Sequence, residues 1–255
     1  APIAERIKMS FQQWKKNEMK YTIHRANERG IAEHGWLHSR FSFSFADYHN
    51  RQRMSFGVLR VINDDIIQPQ SGFGMHSHRD MEIVTIVLKG SIEHTDSLGH
   101  HGFTNAGEIQ IMSAGSGIEH SERNPFFDEP LELFQIWIFP NAHNLIPHYE
   151  QKDFSGVSMS DGWALLVSGD GREGSMKIAQ DATIKMTRLR AGTDLICNET
   201  LAGYGRLLLV VEGEVQIADA TLHRRDEWQT LETQSLVIHA LRESHLILFE
   251  VPMTR

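Results

Sequence analysis

A single cysteine, Cys197, in a chain of 255 residues excludes an internal disulfide and suits a reducing compartment, so a cytoplasmic location is expected. Basic residues are scarce relative to acidic ones, 25 against 33, and the net charge is −8 with histidine neutral. Proteins that grip a nucleic-acid backbone usually present a basic face, so direct nucleic-acid binding is not expected. Apolar runs stay near strand length and fall short of what a bilayer requires, so no membrane partner is expected. Residues 1–20 carry Arg6, Lys8, Lys15, Lys16 and Lys20 against Glu5 and Glu18 and lack the apolar stretch of a secretory signal. They read as an extension outside the core. After residue 30 no segment shows a sustained helical period.

What the chain does have is strand pattern. Hydrophobic residues make up 40% and charged residues 23%, the balance of a globular protein. Phe41, Phe43 and Phe45 alternate with Ser42 and Ser44, which predicts three rings on one face of a strand. The run Phe56–Ile62 predicts a strand ending at a turn over Asn63-Asp64-Asp65. Ile83–Leu88 reads as a buried strand stopped by Lys89-Gly90, followed by Ser91–Asp96 and a turn near Gly99. Ile109–Met112 leads into the bend Ala114–Gly117, and Leu131–Phe139 stops at Pro140. The second half continues with Trp163–Val167, Met176–Ala179, Ile184–Leu189, Arg206–Val211, Val215–Ala218, Ser235–Ala240 and His245–Val251. Many short strands separated by frequent turns predict an all-β sandwich or barrel.

Val87-Leu88-Lys89-Gly90-Ser91-Ile92 resembles Val210-Val211-Glu212-Gly213-Glu214-Val215, and both read as strand, tight turn, strand. A duplicated β unit accounts for the spacing. The boundary is expected within Asn141–Asp153, which divides the chain into residues 21–145 and 146–255.

Fifteen histidines are the second abundance. Most have no partner at ligand spacing. His76-Ser77-His78 differs, because side chains at i and i+2 on a strand share a face. Gly72 and Gly74 just before it are read as allowing close approach. The stretch up to His120 has room for three or four strands, and His120-Ser121-Glu122 then repeats the i, i+2 spacing with a carboxylate. Two such pairs on facing strands would set three imidazoles and one carboxylate around a point. That donor set suits Fe(II), Mn(II), Ni(II), Co(II) or Zn(II) and leaves two positions of an octahedral ion open. His94 follows a strand and is read as an interior histidine near this site. His100, His101, His143 and His148 fall in predicted turns or linker.

The stretch His76-Ser77-His78-Arg79-Asp80-Met81-Glu82 with Gly90 resembles the first cupin motif. Ser113-Ala114-Gly115-Ser116-Gly117-Ile118-Glu119-His120-Ser121-Glu122 after Gly107 resembles the second. Together with His34-Gly35-Trp36-Leu37, Phe43-Ser44-Phe45 and Leu59–Asp65, the pattern is similar to bacterial pirin-like proteins, most specifically over residues 30–140. The resemblance implies two cupin barrels packed face to face, with Fe(II) in the N-terminal one on His76, His78, His120 and Glu122. It gives Glu82 a supporting or structural role. Shifting by the repeat offset carries the four ligand positions to Glu199, Leu201, Glu243 and His245, which is no ligand set, so the second barrel is expected to be metal-free.

The activity implied is a flavonol (quercetin) 2,3-dioxygenase using O2, with Glu122 as the general base. Phe45, Phe73, Phe134 and Trp137 are candidates to pack on a flat substrate. The alternative is an iron- or redox-dependent regulatory protein that binds a transcription factor or metabolic enzyme. A sugar-phosphate isomerase ranks last, because no basic pocket is evident.

Overall fold

The computed structural model describes residues 19–254. Residues 1–18 of the expected extension lie outside the described residues. Its end does not stand apart, since Met19 packs on the second half's core and the Lys20 carbonyl accepts a hydrogen bond from Thr230.

Among the described residues the strands form two seven-stranded and two four-stranded sheets, one of each kind in either half. Each pair of sheets closes into a cupin barrel. The hairpins read as repeats occupy corresponding places. Strands Glu82–Lys89 and Ser91–Asp96 meet at Gly90, and strands Tyr204–Glu212 and Glu214–Ile217 meet at Gly213. Both glycines have positive φ, 82° and 96°, and a Cβ at Gly213 would lie 2.3 Å from the Glu243 carbonyl oxygen. Only glycine meets both conditions there.

The seven-stranded sheets face each other. Their central strands are buried on both sides, which explains sequence that is apolar with little alternation. Along Leu131–Ile138, Phe134, Ile136 and Ile138 enter a core shared by the barrels, while Leu133 and Trp137 face the interior of the first. Ile184, Leu207, Ile247 and Phe249 meet them from the second half. Truncating one buried phenylalanine in such a core costs about 3–5 kcal/mol. Phe134 is therefore not a substrate contact: it is fully buried on the face away from the histidines, beneath the Arg225 guanidinium.

Two segments cross between the halves. Thr22–His24 pairs with Glu227–Thr230 of the second sheet, and His148–Asp153 pairs with Glu108–Ser113 of the first. We therefore propose the division at 145/146 with these two strands exchanged across it. His24 and Glu227 meet at 3.5 Å, and Arg53 reaches the same carboxylate at 2.6 Å. Arg29 and Ser42 complete this buried ionic knot.

Two local readings need correction. Asn63-Asp64-Asp65 is not a turn, because the strand runs Leu59–Ile67 through it. The polar side chains have partners there: Asp65 accepts from Ser39, and Asp64 pairs with Arg225 at 2.8 Å. Conversely, Phe43 and Phe45 lie beyond the strand Leu37–Phe41. Ser42 and Ser44 are as buried as Phe41 and Phe43, so the alternation does not mark an inner and an outer face.

The second barrel's interior is filled by Leu208, Val210, Val215, Ile238 and their neighbours. Its counterparts of the histidine strands are Asp194–Cys197 and Leu236–Ala240. The simple repeat offset overshoots them. No helix among the described residues is long and apolar enough to cross a membrane.

Candidate metal centre

Strands Gly72–His78 and Ile118–Arg123 pair antiparallel, with His120 opposite His76. Four strands lie between them in sequence, as the spacing allowed. The pairing then slips: Glu122 stands opposite Phe73, so Gly72–His78 carries one extra residue in a bulge. A Cβ on Gly72 would lie 2.2 Å from the Glu122 carbonyl oxygen, so glycine is required for this approach. Gly74 has no such role, since nothing lies within 4 Å of a Cβ built there.

One nitrogen each from His76, His78 and His120 lies within 4.8 Å of the others. The His76 Nδ1–H donates to the Gly74 carbonyl at 2.7 Å, which leaves Nε2 with its lone pair. That Nε2 faces His120 Nε2 at 3.0 Å. Two ring nitrogens so placed require a proton or a cation between them. Burial, and then the neighbouring rings, push both His78 and His120 down to about 4. A proton is therefore disfavoured at neutral pH, and the neutral donors suit a divalent ion.

Glu122 forms an overlapping group with His120 and His94, again with donor atoms within 4.8 Å. Its carboxylate is held on both oxygens. Gln110 Nε2 donates to Oε1 at 2.6 Å and Gln135 Nε2 to Oε2 at 2.7 Å. Burial alone would raise this carboxyl. His94, whose own pKa is raised and whose Nδ1 lies 4.0 Å from Oε1, outweighs burial together with the adjoining rings and holds the carboxyl below the ordinary carboxylate range. Buried His94 Nδ1 and His120 Nδ1 have no hydrogen-bond partner, further donors beside the carboxylate.

The site is graded in depth. His76 and His78 are half-buried, whereas His120 and Glu122 are 2% and 3% exposed. A depression of about 420 Å³ lined by Ser77, His78, Arg79, Ser97 and Glu119 reaches His78 alone among the site histidines. The carboxylate is therefore the deeper part of the cluster, and His76 and His78 the more exposed part. Trp137 lies edge-on to His78 at 4.9 Å, and Phe45 edge-on to Trp137 at 5.3 Å. Phe73 contacts His76 at 6.4 Å between ring centroids.

Several supporting residues escaped the sequence reading. Gln110 and Gln135 sit on inner faces of strands whose apolar character masked them. Tyr149 falls in the stretch taken for linker, yet it stacks between His94 at 4.5 Å and His100 at 5.2 Å. His94 is indeed an interior histidine, bonded to Asp96 at 2.9 Å. Among the described residues Glu82 has no hydrogen bond or ion pair with a site histidine. It accepts from Ser113 and from the Ala179 backbone, and so ties the barrels together.

Comparison with known proteins agrees with this geometry. A family model described as Pirin matches residues 23–138, and one described as Quercetinase C-terminal cupin domain matches residues 165–251. The quercetin 2,3-dioxygenase of Escherichia coli (strain K12) is 44% identical over 231 residues, covering 90% of this chain and 98% of that protein. A pirin-like protein of Caulobacter vibrioides is 38% identical over 224 residues, 87% of this chain and 95% of that one. The crystal structure of the bacterial pirin YhhW from Escherichia coli, in complex with nickel(II), superposes with a TM-score of 0.87 at 42% identity, covering 91% of this chain and 99% of that one. The His/Glu cluster is accordingly a divalent-metal site.

Proposed function

Because this chain belongs to the pirin family, we propose that it is an oxidoreductase of the flavonol 2,3-dioxygenase type, acting on a quercetin-like substrate with O2. The ion we assign is Fe(II), held by His76, His78, His120 and Glu122. When bound, the ion supplies positive charge that favours an anionic oxygen donor and lowers the pKa of a hydroxyl beside it.

The observation that carries the reading is the placement of Glu122: a buried carboxylate grouped with His120, which also belongs to the cluster of half-buried His76 and His78. A flat phenol entering past His76 and His78 meets Trp137 and Phe73 at its edges. Glu122 then takes the flavonol hydroxyl proton. Gln110 and Gln135 keep the carboxylate in place and hydrogen-bonded, so that it neither drifts nor protonates from solvent. Having its pKa held down makes Glu122 a weak base, which matches an acid that is itself strengthened by the ion.

The visible spectrum of quercetin tests this reading. On the metal-loaded protein it should shift toward the deprotonated flavonol, and on Glu122→Gln with equal metal content it should not. An unshifted spectrum with wild-type protein and no flavonol loss in air would overturn the assignment.

A further inference from the structure

A second cavity, of about 660 Å³, lies between the barrels and away from the metal centre. Its size is that of a small-molecule pocket. Leu88 and Phe154 line it from the first half of the fold, and Met186 from the second. Its polar groups are unequally placed. Arg188 and His245 stand directly opposite each other on adjacent strands, on the face that also carries Met186. Arg188 is exposed, and its guanidinium has no hydrogen bond or ion pair among the described residues. His245 is 7% exposed, and its Nε2 is buried without a hydrogen-bond partner. Arg225, also on the lining, is engaged by Asp64.

One acidic lining residue, Glu212, stands opposite His245 on its other neighbouring strand and lies 3.9 Å from Arg225. Glu212 is paired with Arg224, and Glu108 accepts from Asn105 and Gln151. Glu132 lines the cavity from a first-half strand. Burial, and then the guanidinium groups of Arg188 and Arg225, push His245 down to about 4. One end of the cavity therefore sets an exposed guanidinium beside a buried imidazole nitrogen that has no hydrogen-bond partner among the described residues. Leaving such an atom unpaired costs free energy that a fitting ligand would recover.

We propose that this inter-barrel cavity is a second ligand site for a small carboxylic acid, with the carboxylate against Arg188 and His245 Nε2 and the apolar body between Leu88, Phe154 and Met186. Arg188 is suited to a carboxylate by its planar fork of donors. The site is separate from the metal centre and does not depend on the reaction assigned there.

Benzoate and its neutral isostere benzamide are the probes. Each is titrated into metal-loaded wild-type protein and into His78→Ala, with calorimetry and the His245 ring signals as readouts. Benzoate should bind saturably in both proteins, move the His245 signals and raise their titration midpoint. Benzamide should bind at least about tenfold more weakly. Arg188→Glu, at an exposed position, should keep metal content and melting temperature and lose benzoate binding by about tenfold or more. Met186→Trp should block the cavity while Arg188 remains. The proposal is overturned if benzoate fails to bind saturably, if Arg188→Glu binds it as wild type does, or if binding disappears in His78→Ala.

Discussion

The Gln135 side-chain amide donates to Glu122 Oε2 at 2.7 Å from the strand Leu131–Ile138, while Gln110 holds the other oxygen from a different strand. The carboxylate therefore has one orientation, set by the sheet and not by its own rotamer. Gln135→Leu should leave a buried charged oxygen without its donor and destabilise the metal-free protein by roughly 1–3 kcal/mol. Denaturant unfolding of the two metal-free proteins checks this. Equal stability would show that water replaces the amide at no cost.

Metal content follows from the three imidazoles. The protein should carry at most one transition ion per chain. His78→Ala should lose it, because the two remaining histidines and Glu122 no longer surround the ion. Elemental analysis of both proteins decides the matter; two ions per chain, or full content in the variant, would refute the ligand assignment.

An ion that binds the folded barrel alone stabilises it by mass action. At free metal a hundredfold above the dissociation constant this amounts to about 2.7 kcal/mol. Chelation should thus lower the melting temperature by several degrees, and restoring the ion should recover it. No change after confirmed removal of metal would mean that the strands around the site hold without it.

The buried knot at Glu227 makes stability pH-dependent. Burial opposes ionisation, but His24, Arg29, Arg53 and Ser42 hold the carboxyl down to about 2, against 4.5 when unfolded. A depressed carboxyl stabilises fully above its unfolded value and loses that contribution as pH falls through its folded value. Wild-type stability should therefore drop between about pH 4.5 and about pH 2. Glu227→Gln should lose on the order of 3 kcal/mol at neutral pH and show a flatter acid limb. Parallel acid limbs for the two proteins would remove Glu227 as the cause.

The legible part of this molecule was its local chemistry. His76, His78 and His120 are close because strand geometry puts i and i+2 on one face, and the hairpins at Gly90 and Gly213 follow from glycine's tolerance of positive φ. What depends on distant pairing was not legible. Asn63-Asp64-Asp65 looks like a turn until Ser39 and Arg225 supply partners for the carboxylates. Tyr149 looks like linker because the strand that carries it is polar and gains its partner from Glu108–Ser113. Phe134 and Trp137 are three residues apart on one strand, so they face opposite sides, one toward the shared core and the other toward His78. Gln110 and Gln135 declare a role only when the barrel closes and both amides reach one carboxylate.

The central claim is that Glu122 serves a metal-dependent oxidation of a flavonol. It is tested most directly by oxygen uptake with quercetin, measured on metal-loaded wild type, metal-free wild type and Glu122→Gln matched for metal. The account predicts that oxygen and quercetin disappear together in the first, that neither does in the second, and that turnover in the third falls at least about a hundredfold, the scale of a lost general base. Full turnover in Glu122→Gln would contradict the role of Glu122, and no oxygen uptake by metal-loaded wild type with quercetin or any other flavonol would contradict the enzyme itself.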